Sequence, residues 1–225
     1  QLARAGLVSI PLTLLILLLV FGSVVGASIP LLLALSSVFA TLGLVALPSQ
    51  IVPMDESVAE VILLIGLAVG VDYSLFYIRR ERDERRAGRS EQAALEAAAA
   101  TSGRAVLISG FTVMIAMAGM FFSGDKTFMS FAIGTMMVVG VAMLGSLTVL
   151  PAVLSWLGDR VDKVRVPFLW RLRRSDGESR VWGAILDRVL RRPLLSAALS
   201  AGVLIALALP ALGMKTVVPG AEALP

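Results

Sequence analysis

Six apolar stretches, each about as long as a bilayer-crossing helix, constrain this chain more than any other feature. They run from Leu7 to Gly26, Ile29 to Leu47, Val58 to Ile78, Ala105 to Phe122, Phe128 to Leu157 and Pro193 to Gly213. In hydrocarbon no water can satisfy a backbone N–H or C=O, so each stretch must close its hydrogen bonds within itself as an α-helix. The composition agrees: 57% of the 225 residues are hydrophobic and the mean hydropathy is +0.88, far more than a soluble core requires. The expected fold is an all-α membrane protein, a six-helix transmembrane bundle.

The charges are sorted by topology. Of the twenty Lys and Arg residues, seven lie between Arg79 and Arg104 and ten between Arg160 and Arg192, leaving Arg4, Lys126 and Lys215 elsewhere. The positive-inside rule places those two connections in the cytoplasm and both ends of the chain outside. A pI near 10.1 therefore reflects membrane orientation, and no nucleic-acid partner is expected. With no histidine and no cysteine, imidazole bases, thiol nucleophiles, disulfides and the commonest zinc sites are excluded, so neither a cofactor nor a metal is expected. The chain starts at Gln1 with a span-length apolar run, and it reads as an excerpt of something longer.

The connections carry their own signals. Gly-Ala-Ser-Ile-Pro around position 28 predicts a tight hairpin between the first two spans, and Pro48, Pro53, Asp55 and Glu56 mark the next turn. The run Arg79 to Arg86 prolongs the third span until Gly88 ends it, and Ser90 caps a further helix reaching to Ser102. In the second basic connection, Val181, Trp182, Ile185, Leu186, Val189 and Leu190 recur at helical spacing between arginines. They predict a cytoplasmic interfacial helix lying on membrane lipids. Pro151 is expected to kink or end the fifth span.

The third span holds the candidate site. Asp72 is followed by Tyr73 in otherwise apolar surroundings, about 10 Å short of Arg79 by the helical rise. A carboxylate near a bilayer centre costs about 3 kcal/mol or more, so its presence points to binding or passing protons. The competing reading is a structural hydrogen bond made by a side chain reaching the interface; six mostly apolar residues and a short side chain weigh against it. Glu60, near the outer end, reads as interfacial. Gly66 and Gly70 lie about 40° apart on the helix and invite close approach of one neighbour. Asp72 projects about 160° from Gly70, with Val61, Ile65 and Ala68 near its meridian, and so faces a different neighbour. Tyr73, about 100° further round, is expected to meet a polar group on an adjoining helix. The hydroxyls of Ser36, Ser37, Thr41, Ser109, Thr112, Thr135, Ser146 and Thr148 read as packing groups bonded to nearby backbone, and Gly110, Gly119, Gly134, Gly140 and Gly145 as close-packing positions.

Taken in order and spacing, three motifs resemble the MMPL (mycobacterial membrane protein large) transporters of the resistance-nodulation-division superfamily. They are Val71-Asp-Tyr-Ser-Leu-Phe76 followed by Arg79-Arg-Glu-Arg82, Thr101-Ser-Gly-Arg-Ala-Val-Leu-Ile-Ser-Gly-Phe-Thr112, and Leu147-Thr-Val-Leu-Pro-Ala-Val-Leu154. The resemblance implies half of an RND-type, sterol-sensing-domain-like membrane domain in a bacterial inner (plasma) membrane. By that pattern residues 1–158 hold transmembrane helices two to six, 159–192 a basic cytoplasmic linker, 193–213 helix seven, and 214–225 the start of a second extracytoplasmic porter domain. It also implies proton-driven export of lipids or other hydrophobic compounds, with Asp72 and Tyr73 forming half of a proton relay completed by an equivalent pair on the second half of the protein. Gly66, Ala68 and Gly70 would be its packing positions; the family often has glycine where this sequence has Ala68, which implies slightly looser packing against the partner span.

Other functions compete less well. An intramembrane aspartyl protease needs two facing carboxylates and only Asp72 lies deep, so no enzyme is expected. A retinal pump needs a lysine within a span, and none occurs. A non-transporting lipid or sterol sensor, or a protein-export auxiliary of the same superfamily, remains the alternative, distinguished by whether a second Asp-Tyr pair exists.

Overall fold

The structure, a computed structural model, describes residues 2–158 and 180–213, with side chains placed from Ser9 to Gly158 and from Gly183 to Gly213. These residues are helical, with no sheet among them. Five helical segments are long and apolar enough to cross a membrane: Val24–Gln50, Val58–Arg86, Glu91–Ser123, Lys126–Leu157 and Pro193–Gly213. A sixth, α1 (Leu2–Phe21), is a 20-residue helix whose part from Ser9 to Phe21 is a shorter apolar helix. The chain divides into two compact units, residues 1–173 and 174–225.

In the first unit the hairpin between α1 and α2 (Val24–Leu44) turns earlier than its proline suggests. Gly22 adopts φ 66°, which a side chain would resist, and Ser23 then caps α2, its Oγ accepting from the Gly26 N–H at 3.1 Å. Pro30, the expected breaker, sits inside α2. A single proline removes one helical hydrogen bond, whereas Gly22 and Ser23 together offer a complete stop and start, so they set the turn.

Helix α3 (Val58–Arg86, 29 residues) is the centre of this unit and packs against α1, α2 and α6. It outruns the apolar stretch by two turns of charged residues and stops where Gly88 takes φ 89°. Ser90 then caps α4 (Glu91–Ala98), accepting from the Ala93 N–H at 3.4 Å. The sequence reading separated this helix from the next span; instead a wide π-helical turn, Ala99–Gly103, joins α4 to α5 (Arg104–Ala118) without a break. A second π-helical turn, Gly145–Val149, links α6 (Lys126–Leu144) to α7 (Leu150–Leu157). It lies just before Pro151. A proline ring collides with the carbonyl four residues back, here Leu147, and the widened turn falls on that carbonyl and lets the span continue.

Lipid tails are as apolar as the side chains, so association inside the membrane rests on close packing of small residues. The interior agrees: Ala27, Ala34, Ala132 and Ala142 are essentially inaccessible, beside Ile62, Val138 and Val139. At the end of the bundle opposite the charged extension of α3, Asp55 ties two connections together, its Oδ1 accepting from Ser57 N–H at 2.9 Å and its Oδ2 from the Thr127 hydroxyl at 3.3 Å.

In the second unit, α8 (Arg180–Arg191) precedes α9 (Pro193–Ala208), which a short 3-10 turn extends to Gly213. Ile185, Leu186, Val189 and Leu190 of α8 alternate with Arg188 and Arg191, an amphipathic pattern at the predicted position. Residues 159–179 of the expected basic linker and the expected porter-domain start at 214–225 lie outside the described residues.

Candidate functional site in the third helix

The three sides of α3 have separate fates. Gly66 and Gly70 face α2. A Cβ on Gly70 would stand 2.9 Å from both Cα and Cβ of Ala34, and one on Gly66 would stand 2.5 Å from a methyl of Val38 and 2.7 Å from one of Val138 in α6. These distances are shorter than atoms tolerate, so the absent side chains set the α2–α3 spacing. Ser74 adds a back-bond to its own helix, its Oγ donating to the Gly70 carbonyl at 2.8 Å.

Tyr73 turns the other way and is buried between α5 and α6, packed with Val106 and Met143. Its hydroxyl lies 3.3 Å from where a Cβ of residue 110 would be, so Gly110 makes the room. The polar neighbour expected on an adjoining helix is not found: among the described residues no hydrogen bond reaches this hydroxyl, and its surroundings are a glycine, a thioether and aliphatic carbon. Tyr77, one turn on, is fully buried and donates to the Leu95 carbonyl at 3.2 Å, anchoring α3 to α4.

Asp72 occupies the remaining side. It is exposed, in line with Leu64, Ala68 and Phe76, one residue per turn along a single stripe of α3. Val61, Ile65, Val69 and Leu75 border the stripe half-buried. Ala68 thus parts from the two glycines; it is exposed and belongs to the carboxylate's face. Among the described residues no hydrogen bond or ion pair reaches Asp72. The helix is therefore held on its glycine and tyrosine sides, and its carboxylate side is uncovered. Bare carboxylate against lipid is unfavourable by about 3 kcal/mol or more, so such a group takes up a proton or is met by another protein surface.

Of the hydroxyls read from the sequence as backbone-bonded, Thr135 is buried with no such bond among the described residues, and the other seven are engaged locally. Ser36 and Ser37 donate to Leu33, Thr41 to Ser37, Ser109 to Val106, Thr112 to Ile108, Ser146 to Met143 and Thr148 to Leu144. Glu60 lies in the first turn of α3, where an acid suits the helix N-terminus. At the opposite end Glu84 meets Arg80 at 2.6 Å and Arg89 at 2.9 Å, while Arg85 pairs with Glu81 and, at 3.3 Å, with Glu91. Glu81 and Glu84 are buried in this network, which locks the α3–α4 hairpin. The sequence reading named Gly110 as a close-packing position without its partner, which is Tyr73, and it missed Tyr77, one turn from Tyr73.

The fold is that of a polytopic helical membrane protein with one acid in its central span. The chain belongs to the MMPL family, whose family model matches residues 1–196. It is 40% identical over 214 residues, 95% of this chain and 22% of the relative, to the mycolic acid-containing lipids exporter MmpL11 of Mycolicibacterium smegmatis. It is 38% identical over 211 residues, 94% of this chain and 22% of the relative, to the heme uptake protein MmpL11 of Mycobacterium tuberculosis. The trehalose monomycolate exporter MmpL3 of that organism is 29% identical over 231 residues, 92% of this chain and 24% of the relative. The chain thus spans about a quarter or less of the length of these relatives. It is a multi-pass inner-membrane protein of a transport family.

Proposed function

We propose that this chain contributes half of a proton-coupled pathway that exports lipids or other hydrophobic compounds. The observation that carries the reading is the uncovered stripe of Leu64, Ala68, Asp72 and Phe76 on an otherwise enclosed helix. Two of the relatives above are named as lipid exporters, which supports the hydrophobic substrate class. In this reading a second transmembrane half of the same protein covers the stripe and faces Asp72 with its own polar groups. Protonation makes the carboxyl neutral and cheap to enclose; deprotonation restores the charge and favours a hydrated opening. Alternation between the two states lets proton flow bias the rocking of the halves. Tyr73, on the adjacent side of the helix, packs α3 against α5 and α6. No catalytic chemistry is required of the chain.

The test is Asp72→Asn in the full-length protein that bears these residues. Asparagine keeps the size and hydrogen-bonding capacity but cannot ionise. Insertion into the membrane should be normal while lipid export driven by a proton gradient is lost; export at the parental rate would refute the relay.

A further inference from the structure

The elbow between α8 and α9 lies wholly within the second unit and carries its own cluster of charge. Proline disfavours helical conformation in the residue before it, and Arg192 accordingly leaves the helix at φ −142°, ψ 70° before Pro193 starts α9. The Ser196 Oγ reaches back across the break and donates to the Val189 carbonyl at 3.4 Å. A cleft of about 740 Å³ opens beside this elbow. From α8 it is lined by Arg191 and by Asp187 and Arg188, which precede Arg191 by four and three residues and so share its face of the helix. From α9 it is lined by Leu199 and, at the same intervals before it, Leu195 and Ser196, with Arg192 at the break between the two walls. The apolar residues of α8, Ile185, Leu186, Val189 and Leu190, emerge on the opposite side of that helix. Three guanidinium groups thus share the cleft with one carboxylate, and among the described residues none of the four forms an ion pair. The cleft is net positive.

Its level along the chain points to the ligand. Arg192 is the last charged residue before the apolar run Pro193–Gly213, at the end that the positive-inside rule assigns to the cytoplasm. The cleft therefore straddles the depth at which the span passes from headgroups into hydrocarbon. Its arginines stand at the polar level, and exposed Leu195, Leu199 and Val203 continue one stripe of α9 toward the membrane interior. An acidic peptide would use the arginines and leave the leucine wall unmatched, whereas an amphiphile with a phosphate at one end uses both. We propose that this elbow seats the phosphodiester of a single anionic phospholipid, with its acyl chains descending along Leu195, Leu199 and Val203. Arg188, Arg191 and Arg192 donate charge-assisted hydrogen bonds to the phosphate oxygens, while Asp187 opposes the ligand's charge and moderates its affinity. Free phosphate shares the headgroup chemistry but gains nothing from the leucine wall.

The test measures binding of dioctanoyl-phosphatidylglycerol to the full-length protein in neutral detergent by calorimetric titration, with dioctanoyl-phosphatidylcholine and inorganic phosphate as further arms. Phosphatidylglycerol should bind saturably and more tightly than phosphatidylcholine, and millimolar inorganic phosphate should not displace it. Arg191→Gln should weaken binding about fivefold and Arg188→Gln with Arg191→Gln about 25-fold, from roughly one surface cation's contribution each. Asp187→Asn should change it in the opposite direction and tighten binding severalfold. All three side chains are exposed, so their replacement leaves the fold intact, verified by an unchanged gel-filtration profile. Arg104→Gln, an exposed cation outside the cleft, is the charge-matched control and should change little. Equal loss with Arg104→Gln, no loss with Arg191→Gln, weaker binding with Asp187→Asn, or full displacement by inorganic phosphate would each overturn the proposal.

Discussion

Adding one methyl group to α3 should have opposite consequences from adding one to α6, and the magnitudes follow from the contacts. In a helix interior Ala is favoured over Gly by about 1 kcal/mol. At Gly140 a Cβ would meet nothing within 4 Å, so Gly140→Ala should stabilise by up to about 1 kcal/mol. At Gly70 the new carbon would lie 2.9 Å from Ala34 Cα and Cβ, against an optimum of about 3.5–4.0 Å, so α2 and α3 must part by several tenths of an ångström or more. Overpacking of that kind costs about 1–3 kcal/mol, which equals or exceeds the propensity gain. Gly70→Ala should therefore be neutral to destabilising by about 2 kcal/mol. A rescue experiment sharpens the distinction. Ala34→Gly removes one of the two close atoms but leaves the backbone Cα, so it should restore Gly70→Ala only in part. At Gly66 the obstacles are methyls of Val38 at 2.5 Å and of Val138 at 2.7 Å, so Val38→Ala should restore Gly66→Ala only in part. Reversible unfolding of the full-length protein in mixed SDS micelles reads these differences. If Gly70→Ala and Gly140→Ala shift stability in the same direction by similar amounts, close packing does not set the α2–α3 spacing and the argument fails.

Gly110→Ala should disturb Tyr73 without touching it in sequence, because the added carbon would fall 2.8 Å from Met143 Sδ and 3.3 Å from the tyrosine hydroxyl. Proton-driven export should fall severalfold, with partial recovery when Met143→Ala is added; unchanged export would show that the tyrosine's placement is immaterial. In the loop before α3, Asp55 has its carboxyl held below the usual range, chiefly by the backbone N–H of Ser57, with the Ser57 and Thr127 hydroxyls assisting. A group whose folded pKa is lowered stabilises above its unfolded value of about 3.9, and the contribution disappears as pH falls through the folded value. Amide exchange at Ser57 should accordingly be insensitive to Asp55→Asn only below that window, and a difference persisting at lower pH would contradict the assignment.

The spans were legible because apolar length is a property of the residues themselves, independent of what surrounds them. So was the α3–α4 hairpin, where Gly88 and Ser90 act through local backbone conformation and capping, and so were the serine and threonine back-bonds within the spans. The turn at Gly22 and Ser23 was misread because proline was given more weight than glycine and a cap combined. Pro151 was expected to kink or end the fifth span; one widened turn, Gly145–Val149, absorbs the ring and the span continues to Leu157, as its apolar length implied. The setting of Tyr73 could not be read from angular position. An angle names the side on which a residue emerges, but whether that side meets polar or apolar atoms depends on the facing helix, here Gly110 and Met143.

Ala68 shows how far a sequence motif and a packing role can diverge. It stands between Gly66 and Gly70, and small residues at 66, 68 and 70 look like one surface for close approach. The helical angle separates them: two residues rotate the chain by about 200°, so Ala68 leaves the glycine side and joins Asp72, four residues and about 40° away. Its small size matters for whatever approaches the carboxylate, while the glycines matter for α2. A bulky substitution at 68 and one at 70 therefore disturb different things. The second strains a contact that exists within this chain, while the first obstructs a face that this chain leaves open. The uncovered stripe is thus bounded by a small residue on one side of the acid and by Phe76 on the other, leaving space directly outward of Asp72 for a partner helix to bring a polar group against it.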